Sequence, residues 1–367
     1  MAWNIGTASR VEITMVCDST IDTLYMDPPG VSVKRLGLGH AFDPAKGLDK
    51  MPVADNCSCM LIKIYALEQN TIGAPVPYTI LFDCGGTPNS FIRNMKALDV
   101  DPLSVNQIVI SHGHPDHMGN IKTFMEMRNC IPCPVLIHPD TFSARYVFSP
   151  VGFVFPHITG GLPSKEECEA VGARFVEVTE PTKIGPGAMT TGEIPWYEDV
   201  PFEPSPITLY HQKRGRMELD KTPDEMAIAI NLRGHGLVIV SGCAHNGIIN
   251  TVKRCKEVAG IDEVYAVIGG FHLGFPEVPR DMTGKTIEKM KEIAPKVIIP
   301  QHCTGFLASA QILNAFPEEY VQTSVGMTVC MPFPKHANPE AVKAALAAKK
   351  QEMMTEAGYQ KQGVFEE

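Results

Sequence analysis

The sequence contains no apolar run near the ~18–20 residues that a membrane-spanning helix needs, so no membrane partner is expected. Met1-Ala2-Trp3-Asn4 brings no basic segment with an apolar core behind it, so no signal peptide is expected. Positive charge is in deficit: 32 Lys and Arg face 41 Asp and Glu, a net charge of −9. With no stripe of interleaved basic and aromatic residues either, nucleic acid is disfavoured as a partner. No internal repeat or low-complexity tract is found. The eleven cysteines fall into no disulfide-framework spacing, which fits a reduced, cytoplasmic location. Cys130-Ile131-Pro132-Cys133 lacks a second cysteine pair at finger-like spacing and reads as two incidental thiols.

The 367 residues, 44% of them hydrophobic, suffice for one large or two ordinary globular domains. Apolar runs at Cys59–Tyr65, Tyr78–Phe82, Gln107–Ile110, Val135–Ile137, Leu237–Val240, Val264–Ile268 and Val297–Ile299 read as strands. Gly247–Val258, Gly284–Ile293 and Phe306–Phe316 read as helices. The alternation of strand, turn and helix predicts an α/β architecture. Residues from about 148 to 225 are rich in Pro and Gly and read as a long irregular insertion, either a functional loop or a surface ornament. A domain over 1–335 is expected, followed by a helical tail over 336–367. Asn338 can cap that helix, Pro339 suits its first position and Gly358 can stop it. Its thin apolar stripe would pack on the body or on a second subunit, which makes a homo-oligomer the expectation.

The densest chemistry is His112-Gly113-His114-Pro115-Asp116-His117, directly after the apolar run Gln107–Ile110 and Ser111. Side chains at i and i+2 of an extended segment point the same way, so His112 and His114 can grip one ion. Asp116 and His117, a turn further on, can face a neighbouring ion. Imidazole with carboxylate suits zinc, with manganese or iron as alternatives, better than magnesium or calcium. Four other turns also follow apolar runs, where open α/β sheets put their active sites. These are Asp83-Cys84-Gly85-Gly86, Ser241-Gly242-Cys243-Ala244-His245-Asn246, Gly269-Gly270-Phe271-His272 and Pro300-Gln301-His302-Cys303. A lone histidine is weak testimony. Of twelve, however, six fall at strand-end turns beside small residues, and His138 is a lesser seventh.

These motifs resemble those of the metallo-β-lactamase superfamily. Together with Thr190-Thr191-Gly192-Glu193-Ile194-Pro195, they resemble a subgroup that includes a pterin-linked synthase of methanopterin assembly. The resemblance spans about residues 57–330. It implies an αββα four-layer sandwich with a binuclear metal site at one edge. Carried over by position, His112 and His114 match ligands of the first metal, and Asp116, His117 and His302 match ligands of the second. The chain departs from the pattern twice. Thr190-Thr191-Gly192-Glu193 stands where a His-x-x-Gly-His turn is expected, and Gly242-Cys243 stands where a Gly-Asp turn would supply a bridging carboxylate. His245 can supply the missing imidazole, and Cys243 can ligate or fill space.

The activity implied is that of a metal-dependent hydrolase. Hydroxide generated at two divalent ions would attack a small phosphate ester, cyclic phosphate, ester or lactone. The alternatives are a pterin-linked synthase and a non-catalytic metal-binding protein. Asp116, His272 and Glu193 are the expected catalytic residues, with Asp83 orienting a ligand or the turn. Lys213-Arg214-Gly215-Arg216 reads as a phosphate-holding run or a solvated loop.

Overall fold

A computed structural model describes residues 4–25, 32–36, 51–66, 76–148, 154–155, 161–203, 209–213, 216–275, 278–279 and 281–333. The expected tail over 336–367 lies outside the described residues. Among them, eighteen strands and seven α-helices are found. The strands are β1 Ala8–Cys17, β2 Val33–Lys34, β3 Cys59–Ala66, β4 Tyr78–Phe82, β5 Gln107–Val109, β6 Cys133–Ile137, β7 Arg145–Phe148, β8 Val154–Phe155 and β9 Ala173–Glu177. They continue with β10 Thr182–Gly185, β11 Ala188–Thr190, β12 Leu209–Lys213, β13 Arg216–Leu219, β14 Ile228–Leu232, β15 Gly236–Ser241, β16 Val264–Gly270, β17 Val297–Gln301 and β18 Thr328–Met331. The helices are α1 Pro88–Ala97, α2 Pro115–Met118, α3 Ile121–Met127, α4 Lys165–Ala170, α5 Ile248–Ala259, α6 Met282–Ile293 and α7 Phe306–Ala315.

The main sheet runs β17-β16-β15-β14-β1-β3-β4-β5-β6-β9. Its two halves meet where β1 touches β14 at one residue pair, Ala8 with Leu232. Side-chain alternation along the strands then sorts apolar residues onto two faces. Ile62, Ile80, Phe82, Val109, Val238, Val240, Ile268 and Ile299 join one core between the halves. Leu237, Ile239, Val267 and Ile298 face outward onto α5, α6 and α7. Leu61, Leu81, Ile108 and Ile110 face the opposite way onto α1 and α3. Three cores therefore separate four layers, helix–sheet–sheet–helix, which is the αββα sandwich expected.

Each half contains a parallel set, β4-β5-β6-β9 and β15-β16-β17. Turns after the parallel strands supply the histidines and carboxylates described below.

Within 148–225, the described residues correct the irregular insertion read from its prolines. They contribute β9 to the edge of the main sheet, the β10–β11 hairpin paired on β14, and α4. Pro163, Pro181 and Pro186 stand between these elements and punctuate short strands without preventing them. Of the basic run, Lys213 ends β12 and pairs with Arg216 at the start of β13 in a separate four-stranded sheet, and residues 214 and 215 lie outside the described residues.

Helix α5 begins after Gly247, which has no side chain to cap it. Glu203, remote in sequence, accepts the backbone N–H groups of Ile249 at 3.1 Å and Asn250 at 2.9 Å. Burial raises the Glu203 carboxyl from its ordinary 4.5 to about 7, against the lowering effect of those N–H donors. A folded-state pKa above the unfolded one means stability is full below about pH 4.5 and falls as pH rises through 7. Urea midpoints at pH 5 and pH 8 are expected to differ less in Glu203→Gln than in the wild type. An equal difference in both would refute this account of the cap.

Candidate metal centre

Ser111 lies two residues past the end of β5, directly before the histidine run. Its N–H and hydroxyl both bond the Asp83 carboxylate, at 2.7 and 2.9 Å. Gly113 then turns where no side chain fits, because a Cβ there would lie 1.8 Å from the Thr141 carbonyl oxygen. Pro115 starts the short α2, which carries Asp116 and His117 back toward His112. The rings of His112 and His117 are 4.2 Å apart by centroid.

Two donor sets result. In the first, His112 Nε2 lies 2.9 Å from His114 Nδ1 and 3.2 Å from His245 Nε2. In the second, Asp116 Oδ2 lies 3.1 Å from His302 Nε2 and 3.7 Å from His117 Nε2. The donor atoms of each set lie within 4.8 Å of one another. Two nitrogens bound to one tetrahedral zinc stand about 3.3 Å apart, from zinc–nitrogen distances of about 2.0–2.1 Å. The first set is therefore already spaced for such an ion.

The electrostatics of the first set agree. Burial pushes His112 and His245 well below the ordinary imidazole value, helped by neighbouring cationic groups. Burial, with Arg145 nearby, pushes His114 down to about 3. All three are thus neutral at pH 7, the form that ligates. Burial opposes the charge on Asp116, but His117 and the hydrogen bond to His302 outweigh it and hold the carboxyl below its usual range. Burial likewise disfavours His302 as a cation, yet Asp116 lifts it to about 9. His114 Nε2, His302 Nδ1 and both ring nitrogens of His272 are buried with no hydrogen-bond partner. The two orphaned His272 nitrogens, beside the converging donors, fit a divalent ion or a substrate group.

Buried carboxylates lie behind three of these loops. Asp83 Oδ2 contacts His117 Nδ1 at 2.7 Å. Asp224 accepts the Gly113 N–H at 2.7 Å. Glu225 accepts the N–H groups of His245 and Asn246 at 2.5 and 2.7 Å. Asp18 accepts the His302 N–H at 3.0 Å and the Thr323 hydroxyl at 2.6 Å. Four residues on these turns, Asp83, Ala244, His272 and His302, have φ between 50° and 63°. A non-glycine side chain there costs about 1 kcal/mol or more, so the surroundings must hold it. The carboxylates on the turn amides do part of that.

The structure thus brings His112, His114, Asp116, His117, His245 and His302 together. His272 joins the edge of the first set, 4.2 Å from the His245 ring, and stacks on Phe275 at 4.4 Å. Glu193 is not brought into either set. It is half exposed and pairs with His138 Nε2 at 3.1 Å. It also lines a cleft of about 440 Å³ shared with Trp196, Lys221, Asn246 and Arg254. There the Trp196 indole N–H donates to Asn246 Oδ1 at 2.7 Å, and Lys221 Nζ lies 5.0 Å from the ring centroid. The sequence reading missed Asp18, Trp196 and Arg145. No local pattern marks Asp18 or Arg145, since their partners are remote in the chain.

Four layers with clustered metal-donor side chains on strand-end turns define an α/β metal-site sandwich. Residues 78–199 match the family model of the metallo-beta-lactamase superfamily. A 7,8-dihydropterin-6-methyl-4-(beta-D-ribofuranosyl)-aminobenzene-5′-phosphate synthase from Methanocaldococcus jannaschii is 34% identical over 288 residues, 73% of this chain and 96% of that one. An uncharacterized protein of the same organism is 28% identical over 250 residues, 68% of this chain and 88% of its own length. A crystal structure described as a metal-dependent hydrolase of the beta-lactamase superfamily superposes with a TM-score of 0.61 at 18% identity, covering 87% of this chain and 98% of that one. The chain belongs to the metallo-β-lactamase superfamily, and it is an enzyme of that superfamily.

Proposed function

We propose that this enzyme is a metal-dependent synthase that joins a reduced pterin to a ribofuranosyl-aminobenzene phosphate, the reaction class named for its archaeal relative. The observation that carries this reading is the 34% identity sustained across 96% of that relative's length. It gives the synthase preference over the hydrolase expected first from the sequence.

His112, His114 and His245 would hold one divalent ion, and Asp116, His117 and His302 a second, with zinc the best match to these donors. When bound, such ions supply Lewis acidity toward a substrate oxygen. The protein's own groups do the remainder. Asp83 fixes the His117 ring through Nδ1, leaving Nε2 to face inward. His272, with both nitrogens unpartnered, is the group proposed to exchange a proton with the substrate. Glu193, held by His138, has a second claim to that role from the wall of the cleft it shares with Trp196. The Trp196 indole offers a stacking face for a planar heterocycle, and Lys221 and Arg254 offer cations to a phosphate.

Trp196→Ala is expected to raise KM for the pterin by an amount worth roughly 1–3 kcal/mol of stacking, with kcat little changed. An unchanged KM would remove the indole from the binding site.

Hydrolysis of a phosphate ester, cyclic phosphate, ester or lactone is the second reading. It is supported by the paired donor sets, an arrangement common to phosphatases and nucleases. One assay separates the two. Metal-reconstituted protein is incubated with ribofuranosyl-aminobenzene 5′-phosphate and a dihydropterin bearing a leaving group on its 6-methyl carbon. Aryl phosphodiester, phosphomonoester and lactone probes are run in parallel. A product mass combining both ring systems is expected. Turnover of the probes alone would transfer the assignment to hydrolysis.

A further inference from the structure

We infer that Cys243 is a thiolate ligand shared by both donor sets, so that the centre selects thiophilic divalent ions. The inference rests on the metal-dependent reading above and adds a residue and a selectivity to it.

Cys243 is buried on the turn after β15, and its Sγ lies 3.1 Å from His117 Nε2. The same sulfur lies within 4.8 Å of donor atoms of His112 and His117, of His245 and His272, and of His302. His112 and His245 belong to the first set; His117 and His302 belong to the second. One sulfur therefore reaches both sets.

The turn that carries it is held in place. A Cβ on Gly242 would meet Ser111 Oγ at 2.1 Å, so backbone and hydroxyl are in tight contact there. The Gly242 carbonyl accepts the Gly270 N–H at 3.0 Å. The sulfur's position is fixed by the same Asp83–Ser111 contacts that fix the histidine run.

Charge gives the second argument. The first set offers three imidazoles, and the second offers one carboxylate and two imidazoles. Two divalent ions would bring four positive charges against that one negative ligand. A thiolate between them adds the second negative charge where it is needed. On binding, the Cys243 S–H bond breaks, the proton leaves to solvent, and a sulfur–metal bond forms. A soft sulfur donor favours zinc, cobalt or iron over magnesium and manganese.

The test reconstitutes the full chain with cobalt(II), reading the near-ultraviolet sulfur-to-cobalt charge-transfer band and the cobalt bound per chain. The wild type is expected to bind about two cobalt ions with the band. Cys243→Ser is expected to lose the band, whereas Cys303→Ser, altering the neighbouring thiol, keeps it. Cys243→Asp is expected to bind cobalt without the band and to lower its zinc-over-manganese preference by about tenfold or more. If Cys243→Ser does not fold, Cys243→Asp carries the same comparison. Two bound cobalt ions without a band in the wild type, or a band that survives either Cys243 variant, would overturn the inference alone. No cobalt bound by the wild type would overturn the metal-dependent reading with it.

Discussion

Arg145→Met is expected to destabilise the protein by about 3–5 kcal/mol, the usual cost of breaking a buried ion pair from one side. Arg145 is fully buried. Its Nε lies 2.7 Å from Asp220 Oδ2, and its Nη2 lies 2.7 Å from Asp224 Oδ1. Nη1 also donates to the carbonyls of Gly113 and Thr141, at 3.1 and 3.3 Å. Removing the guanidinium would strand two buried carboxylates, one of which holds the Gly113 N–H. Arg145→Lys is not expected to rescue, because one ammonium cannot meet four partners in a plane. Denaturant unfolding at pH 7 measures the loss directly. A change under about 1 kcal/mol would mean that water replaces the guanidinium and the network is ornamental.

His112→Ala is expected to abolish metal binding at the first set and to lower turnover beyond the roughly 10–100-fold typical of losing a group that only orients a ligand. His112 is the common member of that set, since its Nε2 faces both His114 and His245. Asp83→Asn supplies the internal scale. Asp83 touches His117 and Ser111 but belongs to no donor set, so its loss should fall within that 10–100-fold range. Metal content by elemental analysis, read beside turnover, separates the two. Equal losses in both variants would mean that His112 acts only by positioning.

Much of the fold was legible because local order and burial coincide in it. Ile80–Phe82 and Val297–Ile299 are unbroken apolar runs, buried on both faces between helices and the inner core, and they lie within strands. β1 escaped the reading although Val11, Ile13 and Met15 alternate with Arg10, Glu12 and Thr14. Its signal was the half-buried period of two, not a continuous run. The Pro- and Gly-rich stretch misled for the opposite reason: proline reports a turn, and here turns are frequent because the strands between them are short.

The sequence by itself determined the donor identities and the local turn that presents them. Two imidazoles at i and i+2 and a proline-started helix of one turn need only backbone geometry to converge. It also placed His245, His272 and His302 at strand ends, because apolar runs followed by Gly or Cys turns are local signals. Only the tertiary structure decided which donors share an ion. His245 joins His112 because parallel strands in the two halves of the sheet bring their carboxyl ends together, a contact over 133 residues of chain. Glu193 pairs with His138, outside both donor sets, by the same logic. Arg145, Asp18 and Glu225 acquired their roles entirely through long-range contact. A buried charge is recognisable only once the partner that compensates it is in place, and no spacing along the chain encodes that partner.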